Sequence, residues 1–305
     1  MGDKHMEQNY ERLALKVVNE SLKLPFIKID RSEFLIKTFG EQVDDIQKLI
    51  DEGPQVFFSK EELDESAKKV INSNVLQSSS LSFASGLPGG FAMAATIPAD
   101  IAQFYGYSLK LAQEISYIYG YKNMWSEQGE LTEDAKNTLI LYLGVMLGVT
   151  SAGAAVRILS NKLALQALKK IPQKALTKTM YYPIIKKVMA IFGAKLTKAT
   201  FAKGVSKFIP LIGGAVSGTM NYISLKPMAN RLKYELGKNI NYTTKDFEQD
   251  IKILNDEEVI ITNSDVEYDD ENYLKKLEKL SDLLEKNIIT EQEFQKMKKS
   301  IIDKF

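Results

Sequence analysis

Asp100 is the one carboxylate in this chain set among apolar neighbours at a spacing that invites chemistry. It is the only charge between Lys69 and Lys110, and Ala95, Ile97, Ile101 and Phe104 surround it in sequence. A carboxyl buried there would have a raised pKa and could act as an acid. The same residue also fits a helix N-cap, with Gln103 three positions on and Pro98 just before, and that reading is preferred. Glu114 is the next acid, and fourteen helical residues separate the two by about 21 Å. Paired catalytic carboxylates lie roughly 5–10 Å apart, so no local pair forms. Gly86-Leu-Pro-Gly-Gly90 suggests a phosphate cradle, but no Gly-Lys-Ser/Thr follows and Pro88 lacks a backbone donor. A turn between helices is expected there instead. The chain has no Cys, and its one His is His5. Thiolate chemistry is excluded, and the usual imidazole proton shuttle is missing from the rest of the chain. These residues point to a non-enzymatic protein with no cofactor and no metal.

A second kind of chemistry lies in charge. From Ala135 to Tyr234 there is no Asp or Glu, while sixteen residues are Lys or Arg. Residues 1–134 carry a net charge of −8 and residues 235–305 a net charge of −7, so the formal total of +1 hides a basic block between acidic ends. Such a block speaks of an anionic partner. Only Arg157 and Arg231 among the sixteen are arginines. Bidentate phosphate and base contacts favour Arg, whereas attraction to anionic lipid needs only charge. Lipid is therefore the expected partner, with nonspecific nucleic-acid binding as a weaker alternative. The candidate contact residues are Lys169, Lys170, Lys174, Lys178, Lys186, Lys187, Lys195, Lys198, Lys203 and Lys207.

The elements that must position these residues read almost entirely as helix, so the expected fold is all-α, a multi-helix bundle with Gly-rich hydrophobic hairpins. Met1–Met6 reads as a cloning scar with Met6 as the native start, and no secretory signal follows. Residues 7–58 form an N-terminal arm, with a helix carrying Leu13, Val17, Val18 and Leu22 that ends by Pro25, and a second helix from Asp30 to Asp51. Ser59-Lys-Glu-Glu62 has capping-box spacing and opens a helix through Ala67, Val70 and Ile71. Asn72 to Ser82 reads as a loop or helix end.

Three uncharged segments follow, Leu81–Ala99, Thr138–Val156 and Phe208–Leu225. Each approaches the roughly 17–25 residues that span a bilayer. Gly144-x-x-x-Gly148 and Gly214-x-x-x-Gly218 have the spacing of close helix contact. Buried core hairpins are the preferred reading, since Pro88, Pro98 and Pro210 interrupt two of the three. Pro172, Pro183 and Pro210 divide the basic helices. From Pro183 to Lys198, Ile185, Val188, Met189, Phe192 and Leu196 share one face, as in a basic amphipathic helix that rests either on a core or on a membrane interface. Tyr105, Tyr107, Tyr117, Tyr119 and Tyr121 form an aromatic group around Trp125, expected to pack in a core or at a bilayer interface. Residues 241–270 read as an acidic linker with a short strand at Val259–Thr262. Residues 271–305 read as a separate hairpin, with Leu274, Leu277, Leu280 and Leu284 on its first helix. Its second starts at Thr290-Glu-Gln-Glu293 and buries Phe294, Met297 and Ile301.

Two segments resemble known families. Gly86, Pro88, Gly89 and Gly90, then Asp100, then a helix closing on Tyr119-Gly120-Tyr121, resemble the EcsC family of bacterial proteins over residues 59–240. That resemblance implies a helical core and a place at the cytoplasmic face of the cell membrane, but no reaction. Leu274-Lys-Lys-Leu-Glu-Lys-Leu280 through Asn287-Ile-Ile-Thr-Glu-Gln-Glu-Phe294 is similar to the SHOCT domain, with Asn287 at the family's usual Gly. It implies oligomerisation or recruitment through Leu277, Leu280, Leu284, Ile288, Ile289, Phe294 and Met297. The expected function is thus a peripheral membrane protein that binds anionic lipid. The alternative is a soluble scaffold that self-associates through the hairpin, its basic face covered by its own acidic ends.

Overall fold

Capping chemistry decides where the helices begin. In a computed structural model the described residues are 2–80, 99–126, 128–160, 178–201, 217–255, 280, 283–284 and 289–302. They hold eleven α-helices and no strand. Helix α1 is Gly2–Leu22, so the residues of the supposed scar continue the helix. Helix α2 (Arg31–Phe39) starts on Asp30, whose carboxylate accepts from the Glu33 amide, and α3 (Ile46–Glu52) starts on Asp45 in the same way. The single helix expected from Asp30 to Asp51 is therefore two helices, because Asp45 supplies a second N-cap inside it. Ser59 and Glu62 exchange the two bonds of a capping box at the head of α4 (Lys60–Ser80). Thr290 and Glu293 do so at the head of α11 (Glu291–Ile302). Helix α4 runs on through the serine-rich stretch from Asn72, where a loop was expected. Its Ile71 and Val75 are buried, and this apolar stripe outweighs the weak helix preference of Ser and Asn.

Two helix stops are left-handed glycines in Schellman motifs. Helix α5 (Ala99–Ile118) ends in Tyr119-Gly120-Tyr121, where Gly120 has φ +81°. The Tyr121 amide returns to the Ser116 carbonyl and the Gly120 amide to Tyr117, which together make a Schellman motif. Helices α6 (Glu133–Met146) and α7 (Thr150–Ser160) are joined by the same device at Gly148, φ +87°. There Val149 returns to Gly144 and Gly148 to Val145. Gly148 of Gly144-x-x-x-Gly148 is thus a helix stop, and Thr138–Val156 is a buried hairpin. Gly144 still permits a close approach, since a β-carbon there would lie 2.6 Å from Val188.

The remaining helices are α8 (Lys178–Phe201), α9 (Ser217–Gly237) and α10 (Thr244–Asn255). Pro183, expected as a boundary, lies inside α8 near its start, where only one backbone bond is lost. Helix α5 is the axis of the molecule, packed by α1, α2, α4, α6 and α9. Such a helix is apolar on all sides, and from Leu111 to Tyr119 every residue is buried. Among its polar members, Ser108 bonds to the Phe104 carbonyl, Ser116 to Gln113, and Gln113 to the Ile27 carbonyl of the arm. The broadest interfaces are α4 with α9 and α1 with α8.

Helix directions follow from two contacts. Tyr119 donates to Asp64, and a β-carbon at Gly237 would lie 3.2 Å from that carboxylate. Helix α4 therefore runs antiparallel to α5 and α9. The start of α4 meets the ends of α5 and α9 at one pole, and Ser80, Ala99 and Ser217 come to the other. From that second pole to Lys69, Lys110 and Lys226, these three helices carry one charge, Asp100.

Candidate functional site

The Tyr-Gly-Tyr stop is a junction for the whole fold. Arg31 donates through Nε to the Tyr121 carbonyl (2.9 Å) and through Nη1 to the Ile50 carbonyl (2.5 Å), binding the N-terminal arm to the end of α5. Asn239 donates to the Tyr121 hydroxyl (3.0 Å), binding the end of α9 to the same residue. Tyr119 donates to Asp64 (2.5 Å), which also pairs with Lys60 (2.5 Å). Burial raises the Tyr121 hydroxyl and, to about 12, that of Tyr117. Tyr105 packs edge-on to Phe192 and Tyr107 stacks on Phe26, while Trp125 donates to Gln113. Tyr105, Tyr117, Tyr119 and Tyr121 are core residues and Tyr107 is half-buried, and they spread along α5 instead of surrounding Trp125.

Gly86, Pro88, Gly89 and Gly90 lie outside the described residues. Helix α5 begins at Ala99, which puts Asp100 in the first turn and not at the N-cap position before it. No side-chain role can be assigned to Asp100, since its side chain lies outside the described ones. Helix α4 faces α5 through a closed polar ring. Lys110 donates to Glu114 (2.5 Å) and to Asn74 (2.9 Å), and Asn74 donates to Glu114 (2.7 Å).

The basic residues separate into two kinds. On α8, Ile184, Ile185, Val188, Met189, Phe192 and Leu196 are all buried, and α1 and α6 lie on the helix. A β-carbon at Gly193 would run into the Tyr10 carbonyl of α1. The apolar face of this amphipathic helix therefore belongs to the core, and it is not left free for a membrane interface. Lys186 points to solvent and Lys187 is half-buried. Lys195 turns inward to the Leu147 carbonyl (3.0 Å), and burial, then Arg231, lowers its pKa. Arg231 donates to the neighbouring Met146 carbonyl. Together these two cations satisfy carbonyls at the C-terminal end of α6, where the helix dipole is negative. Lys178 and Lys198 lie on α8 with side chains outside the described ones. Lys169, Lys170, Lys174, Lys203 and Lys207 lie outside the described residues altogether.

Arg157 is the densest charged centre, and sequence reasoning did not single it out. It is buried on α7 between two acids from beyond the basic block. Its Nε and Nη2 clasp both oxygens of Asp250 on α10 (2.9 and 2.5 Å), and its Nη1 meets Glu235 at the end of α9. Tyr242 donates to the same Asp250 oxygen (2.8 Å), and Lys238 pairs with Glu235 (2.8 Å). Desolvation and the Asp250 bond raise the Tyr242 hydroxyl well above its ordinary value. A fork of this kind is the strongest geometry available to a guanidinium. An arginine amid Ala, Val and Ile was the available signal, because a buried Arg requires an acid.

Of the described residues in the segment expected to form a C-terminal hairpin, Leu280 and Phe294 are buried, Leu284 and Ile289 half-buried, and Met297 exposed. Met297 was expected to be buried, but its position on α11 leaves it facing outward. Leu274, Leu277, Ile288 and the linker with its expected strand lie outside the described residues. Among the described residues no helix is long and apolar enough to cross a membrane, and no group of three or more His, Cys, Asp or Glu could hold a metal ion. No family model, curated protein or solved structure matches this chain.

Proposed function

We propose that this is a non-enzymatic, peripherally membrane-associated bacterial protein that binds anionic lipid from the cytoplasmic side. The observation that carries the reading is the charge asymmetry along α4, α5 and α9. One pole is rich in Lys, Asp and Glu, and the other holds only Asp100 on these three helices. At the uncharged pole the chain leaves Ser80 for residues 81–98 and arrives at Ser217 from residues 202–216. Their sequences hold Gly86, Pro88, Gly89 and Gly90 in one, and Pro210, Lys203 and Lys207 in the other. Apolar segments with nearby lysines suit a headgroup region, where apolar burial and charge attraction add. The resemblance of residues 59–240 to the EcsC family agrees with that compartment. Flotation with phosphatidylglycerol vesicles and with phosphatidylcholine vesicles tests the proposal. Recovery with the anionic vesicles, falling as salt is raised, is expected. Equal recovery with both would sink the electrostatic part.

A second reading is a scaffold that self-associates through residues 271–305. The Arg157 fork favours it, because acids from the chain's own C-terminal part match part of the basic block. Deleting residues 271–305 should then lower the mass measured by light scattering, and an unchanged mass argues against it.

A further inference from the structure

Helix α10 is held differently from the helices of the central bundle. Its one broad neighbour is α7. Tyr242, Phe247, Ile251 and Leu254 gather with Ile158 in a small cluster beside the main core, which Leu254 alone also touches. The Arg157–Asp250 pair sits in that interface and joins α7 to α10 directly. The connector, residues 238–243, is a turn that leaves α9 complete to Gly237. Immediately after α10, residues 256–271 carry eight acidic residues and no basic one, whereas α7 belongs to the acid-free block. The boundary between the basic block and the acidic tail thus closes on one guanidinium, which pairs with Asp250 of α10 and Glu235 of α9.

We propose that α10 is a releasable latch, which opens from α7 as a unit when the Arg157–Asp250 pair breaks and uncovers Arg157 and Ile158 while α4, α5 and α9 stay folded. A small apolar cluster makes α10 a low-stability unit beside a large core. A buried ion pair adds geometric specificity more than strength, since both charges regain hydration on opening. Opening frees the Nε–Nη2 edge of Arg157, while Nη1 stays with Glu235 of α9, and presents that edge beside an apolar residue, which is the chemistry of a phosphate-bearing, partly apolar ligand. A phospholipid headgroup is the occupant that the charge asymmetry favours. That last step rests on the lipid reading, but the latch itself does not.

Hydrogen exchange on the full chain decides it. In the wild type, amides of 244–255 should exchange well before those of α5. Asp250→Asn should speed exchange in 244–255 on the order of a hundredfold, with α4, α5 and α9 unchanged. If Asp250→Asn does not fold, Phe247→Ala tests the same opening from the apolar side. Exchange in 244–255 that is as slow as in α5, and that rises only together with it, overturns the latch. Flotation of the same variant on phosphatidylglycerol vesicles separates the two ideas. Fast exchange with unchanged flotation keeps the latch and counts against a phospholipid headgroup as the ligand of Arg157.

Discussion

The centre of the bundle and the α7–α10 face both bury polar side chains, and they satisfy them by opposite means. Around α5 most partners are neutral, Ser108 to Phe104, Gln113 to Ile27, and Ser21 to the Ala102 carbonyl, with the Lys110–Glu114 pair as the exception. On the α7–α10 face one guanidinium binds two carboxylates from different helices. Neutral bonds cost little when water is excluded and suit a helix packed on all sides. Charges regain hydration when exposed and suit a contact that opens. The contrast also shows where part of the basic block goes. Arg157, Lys195 and Arg231 act inside the fold, whereas Lys186 faces solvent.

The strongest way to break the contrast is at Arg157. Arg157→Ala leaves Asp250 buried without its cation and should cost about 3–5 kcal/mol at the closed α7–α10 face. Limited proteolysis near 244–255 should rise while the main melting transition persists. Arg157→Met with Asp250→Leu should recover most of the protection, and failure to do so would show that the face needs charge. The neutral centre is tested by alkali. The Tyr117 hydroxyl stands at about 12 in the folded chain against about 10 unfolded. It contributes on the order of 2–3 kcal/mol that is fully present below pH 10 and lost as pH rises toward 12. Tyrosinate absorbance at 295 nm should therefore rise together with loss of helix, and ionisation of all tyrosines near pH 10 with helix intact would contradict the burial.

Gly120→Ala forces a left-handed backbone on a residue with a side chain and crowds the Gln55 amide, so about 1–2 kcal/mol of global stability should be lost. A change confined to the N-terminal arm would mean that the junction is local. The smallest effect belongs to the caps. Hydrogen bonds from Ser59, Thr243 and Thr290 hold Glu62, Asp246 and Glu293 below their ordinary values. Their contribution is present above about pH 4 and fades as pH falls through the lower folded values. Thr290→Ala should cost about 1 kcal/mol of α11 alone, visible as a small loss of helical circular dichroism.

Local signals in the sequence were the dependable ones. The Ser59 and Thr290 boxes and the buried stripe of α8 could be read because each is decided within one or two turns. Asp45 was passed over as an ordinary polar residue, although it splits the arm into α2 and α3. Gly144-x-x-x-Gly148 splits its two roles, a close helix contact at Gly144 and a helix stop at Gly148, and the spacing alone does not distinguish them. Arg157, Glu235 and Asp250 could not be joined from sequence, because their meeting depends on how α7, α9 and α10 pack. The inward turn of Lys195 likewise depends on where α6 ends.

The junction at Tyr121 sets an order of assembly. Arg31 reaches it from 90 residues upstream, and Asn239 from 118 residues downstream. A ribosome must therefore release α9 before this residue is fully bonded, and the buried stripe of α4 waits equally long for its main partner. Folding dominated by such distant pairings is slow, and it leaves apolar helices uncovered during synthesis. The N-terminal half is the part of this chain that most needs a chaperone's protection until its last helices emerge.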